Sequence, residues 1–180
     1  MTSKKYLCEE LEKKHSKTIE DTFSLISKRF SLMKSIAHYK HLNAESVYIP
    51  SREIDILHGI KFHFASIKLP INAVLGFAQI QMDLSKHIET YWIRLWESSH
   101  SLFKKDSKKN YSIEIIRKEI NNLDKHFYSK IEKLIFSMKF LSKEHSYLKF
   151  KFALKNIIGV PKKIDYIDLL FETLFLMTLF

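Results

Sequence analysis

Apolar residues recur at intervals of three and four along almost the whole of this 180-residue chain, and very little interrupts them. Three glycines and three prolines are too few for a many-stranded sandwich or barrel, which needs a turn every eight to twelve residues. The fold class that follows is all-α. A hydrophobic fraction of 46% supplies one domain with a real core.

The spacing predicts a helix over residues 18 to 41, where Ile19, Phe23, Ile26, Phe30, Met33 and Ala37 share a face and Thr18 and Asp21 can form a capping box. "HLNAESVYIPS" breaks that pattern, and Ser51 is a suitable N-cap for the next helix. Its stripe runs Ile54, Leu57, Ile60, Phe64, Ile67, Ile71, Leu75, Ala78 and Met82, passing Pro70 in phase, so a kinked helix is expected there. A polar joint over Asp83 to Glu89 then leads to a third helix carrying Trp92, Leu95, Trp96 and Leu102 or Phe103, antiparallel to the second. Trp92 and Trp96, one turn apart, read as core or interface anchors. Beyond the charged linker "KKDSKKN", the spacing predicts a long amphipathic fourth helix through Ile113, Ile116, Ile120, Leu123, Phe127, Ile131, Leu134 and Met138. "NIIGVPKK" closes the following helical run, and an apolar helix ends the chain. The expected division is residues 1–50, an N-terminal helix and linker; 51–106, a helical hairpin; and 107–180, a basic helical segment with the apolar terminal helix, within one compact domain.

Cys8 is the single cysteine, which leaves no intrachain disulfide or thiolate zinc site and fits a reducing compartment. The charged N-terminus lacks an apolar signal segment, so a cytoplasmic location is expected. The terminal "IDYIDLLFETLFLMTLF" carries Asp165, Asp168 and Glu172 and is too short to span a bilayer; docking on the core is expected, with a membrane-surface helix as the rival.

The stretch "LPINAVLGFAQIQM" resembles the segment following the phosphoacceptor in the dimerisation and histidine-phosphotransfer domain of sensor histidine kinases. Pro70, Asn72, Ala73, Gly76 and Phe77 carry the similarity, with Leu75, Ala78 and Gln79 beside them. The resemblance implies a dimeric four-helix bundle whose partner is a second copy or a response-regulator-like protein. The positions at which that family carries its phosphorylated histidine and adjacent acidic base are here Ala65 and Ser66. An alanine methyl cannot accept a phosphoryl group, and residues 101 to 180 contain only Gly159, too little for a phosphate-cradling loop. The expectation is a non-catalytic interaction module without enzyme activity, cofactor or small-molecule substrate.

Two alternatives stand beside it. The formal charge of +10 is concentrated between residues 101 and 163, where Lys104, Lys105, Lys108, Lys109, Arg117 and Lys118 are candidate anion-binding residues for nucleic acid or an anionic membrane surface. Arg52 and His58, five residues intervening, resemble the Arg-x(4–6)-His motif of the HEPN helical ribonucleases, which would make them an acid–base pair. The remaining histidines show no metal-ligand spacing, and no metal is expected.

Overall fold

The computed structural model describes residues 2–106 and 112–180, with side chains for all of these except 2–5 and 105. The described chain is all-α, as its periodicity predicts. The helices are α1 (Thr2–Ser31), α2 (Met33–Leu42), α3 (Pro50–His63), α4 (Ile71–Ser98), α5 (His100–Asp106), α6 (Ile113–Ser129), α7 (Ile131–Phe140), α8 (Lys143–Leu154) and α9 (Tyr166–Leu176), followed by a 3-10 turn over Met177–Leu179.

The longest elements depart from the expected boundaries for definable reasons. α1 begins at Thr2 rather than at Thr18, whose hydroxyl donates to Lys14 O inside the helix instead of capping it. It runs almost without pause into α2: at Leu32 the amide bonds one residue early, to Arg29 O at 3.2 Å, and the chain resumes its helical path. Pro70 does not kink a helix. α3 ends at His63, residues 64–70 form a turn, and Pro70 caps the start of α4, where its missing amide would have had no partner in any case. Residues Asp83 to Glu89, expected as a polar joint, are the middle of that 28-residue helix, with Leu84, Ser85, Ile88 and Glu89 all buried. The antiparallel hairpin is therefore α3 against α4, with the Pro70 turn at its tip. The expected fourth helix is divided at Lys130, whose amide bonds Phe127 O at 3.0 Å, into α6 and α7.

α4 is the central element, in contact with α2, α3, α5 and α9, while α1 packs along α6, α7 and α8. At 1.5 Å per residue α4 is about 42 Å long, enough to touch every layer. Phe77 of α4 stacks on Phe127 of α6 with ring centroids 5.4 Å apart, and Phe23 of α1 meets Phe150 of α8 edge-on at 4.9 Å. Trp96 is fully buried and its indole N–H donates to Asp106 at 3.0 Å, which ties α5 back to α4. The terminal helix docks on the core through Leu170, Phe171, Leu174 and Met177, all fully buried. Among the described residues no helix is long and apolar enough to cross a membrane.

The connection into α9 passes close under α4. Gly159 has φ +96°, and a side chain there would lie 3.1 Å from Tyr91 Cβ and 3.2 Å from Ile88 Cα. Gly159→Ala is expected to lower stability by about 1–3 kcal/mol through backbone strain and overlap with α4, read as a lower urea midpoint.

Candidate functional site

Four helical stripes converge on one cavity of about 470 Å³. Arg29, Met33, Ile36 and Lys40, spaced by four, three and four, form one face running through the α1–α2 junction. Arg52, Ile56 and Ile60 form the stripe of α3; Ala78, Met82, Ser85 and Glu89 that of α4; Arg117, Ile120, Asp124 and Tyr128 that of α6. These spacings put each set on one side of its helix. The α2–α3 loop adds Val47 and Ile49 as an apolar flank.

The lining holds six cationic side chains, Arg29, Lys40, Arg52, Lys86, Arg117 and Lys125, against three carboxylates, Glu53, Glu89 and Asp124. Their pairing is unequal. Lys40 Nζ donates to Glu89 Oε2 at 2.7 Å, both side chains being 7% exposed, and also to Val47 O at 3.1 Å. Arg29 Nε donates to Asp124 Oδ1 at 3.0 Å while its Nη1 donates to Ser85 Oγ at 2.8 Å. The Ser85 hydroxyl proton is itself committed to the Gln81 carbonyl at 2.7 Å. At the rim, Lys86 is held by Glu53 at 2.9 Å and Asp83 at 2.8 Å. Arg52 and Arg117 make no ion pair among the described residues. The Gln81 side-chain amide, on a residue only 4% exposed, likewise has no hydrogen-bond partner among them.

Crowded cations in a half-buried space perturb each other. Burial, and then the neighbouring Arg117, push the Arg52 guanidinium below its ordinary pKa, with Glu89 working in the opposite direction. Burial raises the Glu89 carboxyl above the ordinary carboxylate range; Lys40, Arg29 and Arg52 oppose that rise without cancelling it. The cavity is thus short of negative charge and contains a carboxyl group inclined to hold a proton. A small dianion with an additional hydrogen-bond acceptor is what such a lining suits.

The candidate residues read from sequence distribute unevenly over this geometry. Arg52 lies in the cavity wall, but His58, six residues along α3, is turned away and exposed, so no Arg–His acid–base pair exists. Arg117 faces the cavity, whereas Lys104 and Lys118 are exposed outside it; Lys108 and Lys109 fall outside the described residues, as does the Lys105 side chain. Ala65 and Ser66 lie in the exposed turn between α3 and α4, not on a helix face, so the position expected for a phosphoacceptor is not presented by a helix at all. Asn72 is exposed, Val74 and Phe77 are buried, and a Cβ on Gly76 would meet nothing within 4 Å. Pro70, Ala73 and Gly76 serve the start of α4 rather than a site. Among the described residues no group of three or more His, Cys, Asp or Glu could hold a metal ion.

Arg29, Lys40, Ser85, Glu89 and Asp124 were not singled out by sequence reasoning. Their signal was polar residues in phase with an apolar stripe: Arg29 and Lys40 keep step with Met33 and Ile36, and Ser85 and Glu89 continue the spacing of Ala78 and Met82.

Comparison with known proteins bears on the same elements. Residues 20–90, from within α1 to Thr90 in α4, match the family model of chorismate mutase type II. The fold is similar to the crystal structure of the secreted chorismate mutase from Yersinia pestis, with a TM-score of 0.68 and 18% identity over 85% of this chain and 94% of that one. No curated protein sequence matches. These findings overturn the resemblance to histidine kinases and, with it, the response-regulator-like partner, the signalling role and the non-catalytic module. They lend nothing to nucleic-acid binding or to a ribonuclease. The kinase likeness was carried mainly by Pro70 and the first turns of α4, whose residues start and pack that helix.

The Lys40–Glu89 pair gives a pH test of this electrostatic account. Lys40→Met leaves Glu89 buried alone, so neutral-pH stability should fall by about 3–5 kcal/mol. The folded-state pKa of Glu89, already raised, then rises further above its unfolded value. Its contribution is therefore fully present below the unfolded carboxylate pKa of about 4.3 and lost as pH rises through the folded value. Urea denaturation of Lys40→Met across pH should show near-recovery in acid and progressive loss toward neutrality.

Proposed function

We propose that this protein is a chorismate mutase, an isomerase that converts chorismate to prephenate in the cavity between α1, α2, α3, α4 and α6. The observation that carries the reading is the coincidence of the cation-rich cavity with the matched segment: Arg29, Lys40, Arg52, Ser85 and Glu89 all fall within residues 20–90.

The substrate fits the lining chemically. Chorismate carries one carboxylate on its ring and one on an enolpyruvyl side chain joined through an ether oxygen. The rearrangement breaks the ether C–O bond and forms a C–C bond within the same molecule, so no co-reactant is needed and no net proton moves. What the protein must supply is the folded conformation that brings the two carbon ends together, and donors for the charge that develops on the ether oxygen. Arg52 and Arg117, which lack carboxylate partners, are available to the substrate's two carboxylates, with the remaining N–H groups of Arg29 adding to the field. The apolar walls of Ile36, Val47, Ile56 and Met82 exclude water around the ring. The neutral amide of Gln81 offers both a donor and an acceptor to a ring hydroxyl.

Lys40 and Glu89 are the donors to the ether oxygen. Burial inclines the Glu89 carboxyl to hold a proton, and two substrate carboxylates push in the same direction; in that form the group donates, with the Lys40 ammonium beside it. All these residues belong to one chain.

The direct test is conversion of chorismate to prephenate by the purified protein. Arg52→Ala should lower kcat/KM by about 10²–10³-fold without unfolding the protein. The rate should fall as pH rises through the raised Glu89 pKa, because the carboxylate can no longer donate. Glu89→Gln, whose amide donates at every pH, should flatten that limb. Absence of chorismate turnover, or an unchanged pH limb in Glu89→Gln, would contradict the assignment.

A further inference from the structure

Arg29 is the most deeply held arginine of the cavity, 8% exposed, and its guanidinium is gripped at two points. Its Nε donates to Asp124 Oδ1 at 3.0 Å and its Nη1 to Ser85 Oγ at 2.8 Å. A guanidinium has five N–H bonds in one plane. A contact to Nε fixes rotation about the last side-chain torsion, and a contact to Nη1 fixes the opposite edge of the fork. The three N–H bonds left uncommitted are thereby held in one orientation toward the cavity that Arg29 lines.

Ser85 cannot orient Arg29 alone. Its hydroxyl proton is given to the Gln81 carbonyl, so it serves as an acceptor on the α4 backbone, whereas Asp124 supplies charge. The Asp124 side chain is 30% exposed against 10% for Arg29, so the carboxylate keeps partial hydration while its partner is enclosed. Asp124 also stands on α6, 95 residues from Arg29 and beyond the matched segment 20–90.

We infer that Asp124 is a positioning residue: it acts on the reaction only through Arg29, by holding the guanidinium plane in the orientation that the bound dianion requires. This rests on the mutase reading above. The role differs from scaffold support, since Asp124 is partly hydrated and its one described ion pair is to Arg29.

The test is a double-mutant cycle on chorismate turnover, run beside NMR of the arginine Nε–H group. Asp124→Ala should lower kcat/KM by about a hundredfold, with Asp124→Asn intermediate because its amide oxygen still accepts from Nε. In the Arg29→Ala background, Asp124→Ala should have no further effect. The Arg29 Nε–H resonance, protected from exchange in the wild type, should lose protection in Asp124→Ala and regain part of it in Asp124→Asn. A full hundredfold loss from Asp124→Ala when Arg29 is already absent, or an Nε–H signal unchanged by Asp124→Ala, overturns the inference. If the wild-type protein does not turn over chorismate at all, the mutase reading fails, and the NMR measurement still decides whether Asp124 orients Arg29.

Discussion

Positive charge gathered in a half-buried cavity is the constraint around which this fold is arranged. Six cations and three carboxylates line a space of about 470 Å³, and such an excess is tolerated only if each ion is paired, partly hydrated or reserved for a ligand. Lys40 with Glu89, Arg29 with Asp124, and Lys86 with Glu53 and Asp83 are the paired ones. Each pair joins different helices or fixes the rim, so the electrostatics that prepare the site also tie α1 to α6, α2 to α4 and α3 to α4. Of the other three cations, Lys125 is exposed at the rim, while Arg52 and Arg117 face the space a dianion would fill.

The helical scaffold explains how residues so far apart in sequence reach one another. α4 is 28 residues long and delivers Gln81, Ser85 and Glu89 to the cavity from its middle turns, while it also packs on α9 and α5. The apolar packing of Phe77 on Phe127 holds α6 against α4, and that contact in turn places Arg117 and Asp124 opposite Arg29. Core packing and site geometry are therefore the same contacts viewed at two distances.

The fold class was legible because the period of three and four is set by helix geometry and needs no tertiary information. The interruptions were not. Pro70 in phase with its flanking stripe looks the same whether it kinks a helix or starts one, and only the packing of Phe64 and Val74 against the core decides for a turn. Asp83 to Glu89 looked like a joint because a buried lysine–glutamate pair reads as surface polarity until its partner helix is known. Arg52 and Arg117 were noticed, but for a nuclease motif and for a basic patch; their common destination depends on α3 and α6 facing each other. The likeness of "LPINAVLGF" to a kinase segment rested on residues that cap and pack a helix, a requirement shared by unrelated folds, and so carried no chemistry.

The central claim is that this one cavity, with Arg52, Arg117, Lys40 and Glu89 in its wall, is where the substrate binds and reacts. A crystal structure of the protein with prephenate tests it most directly. The account predicts both product carboxylates on arginines of the cavity and the Lys40–Glu89 pair directed at the atom released from the ether linkage. Prephenate bound elsewhere, or within the cavity with its carboxylates on neither Arg52 nor Arg117, would contradict it.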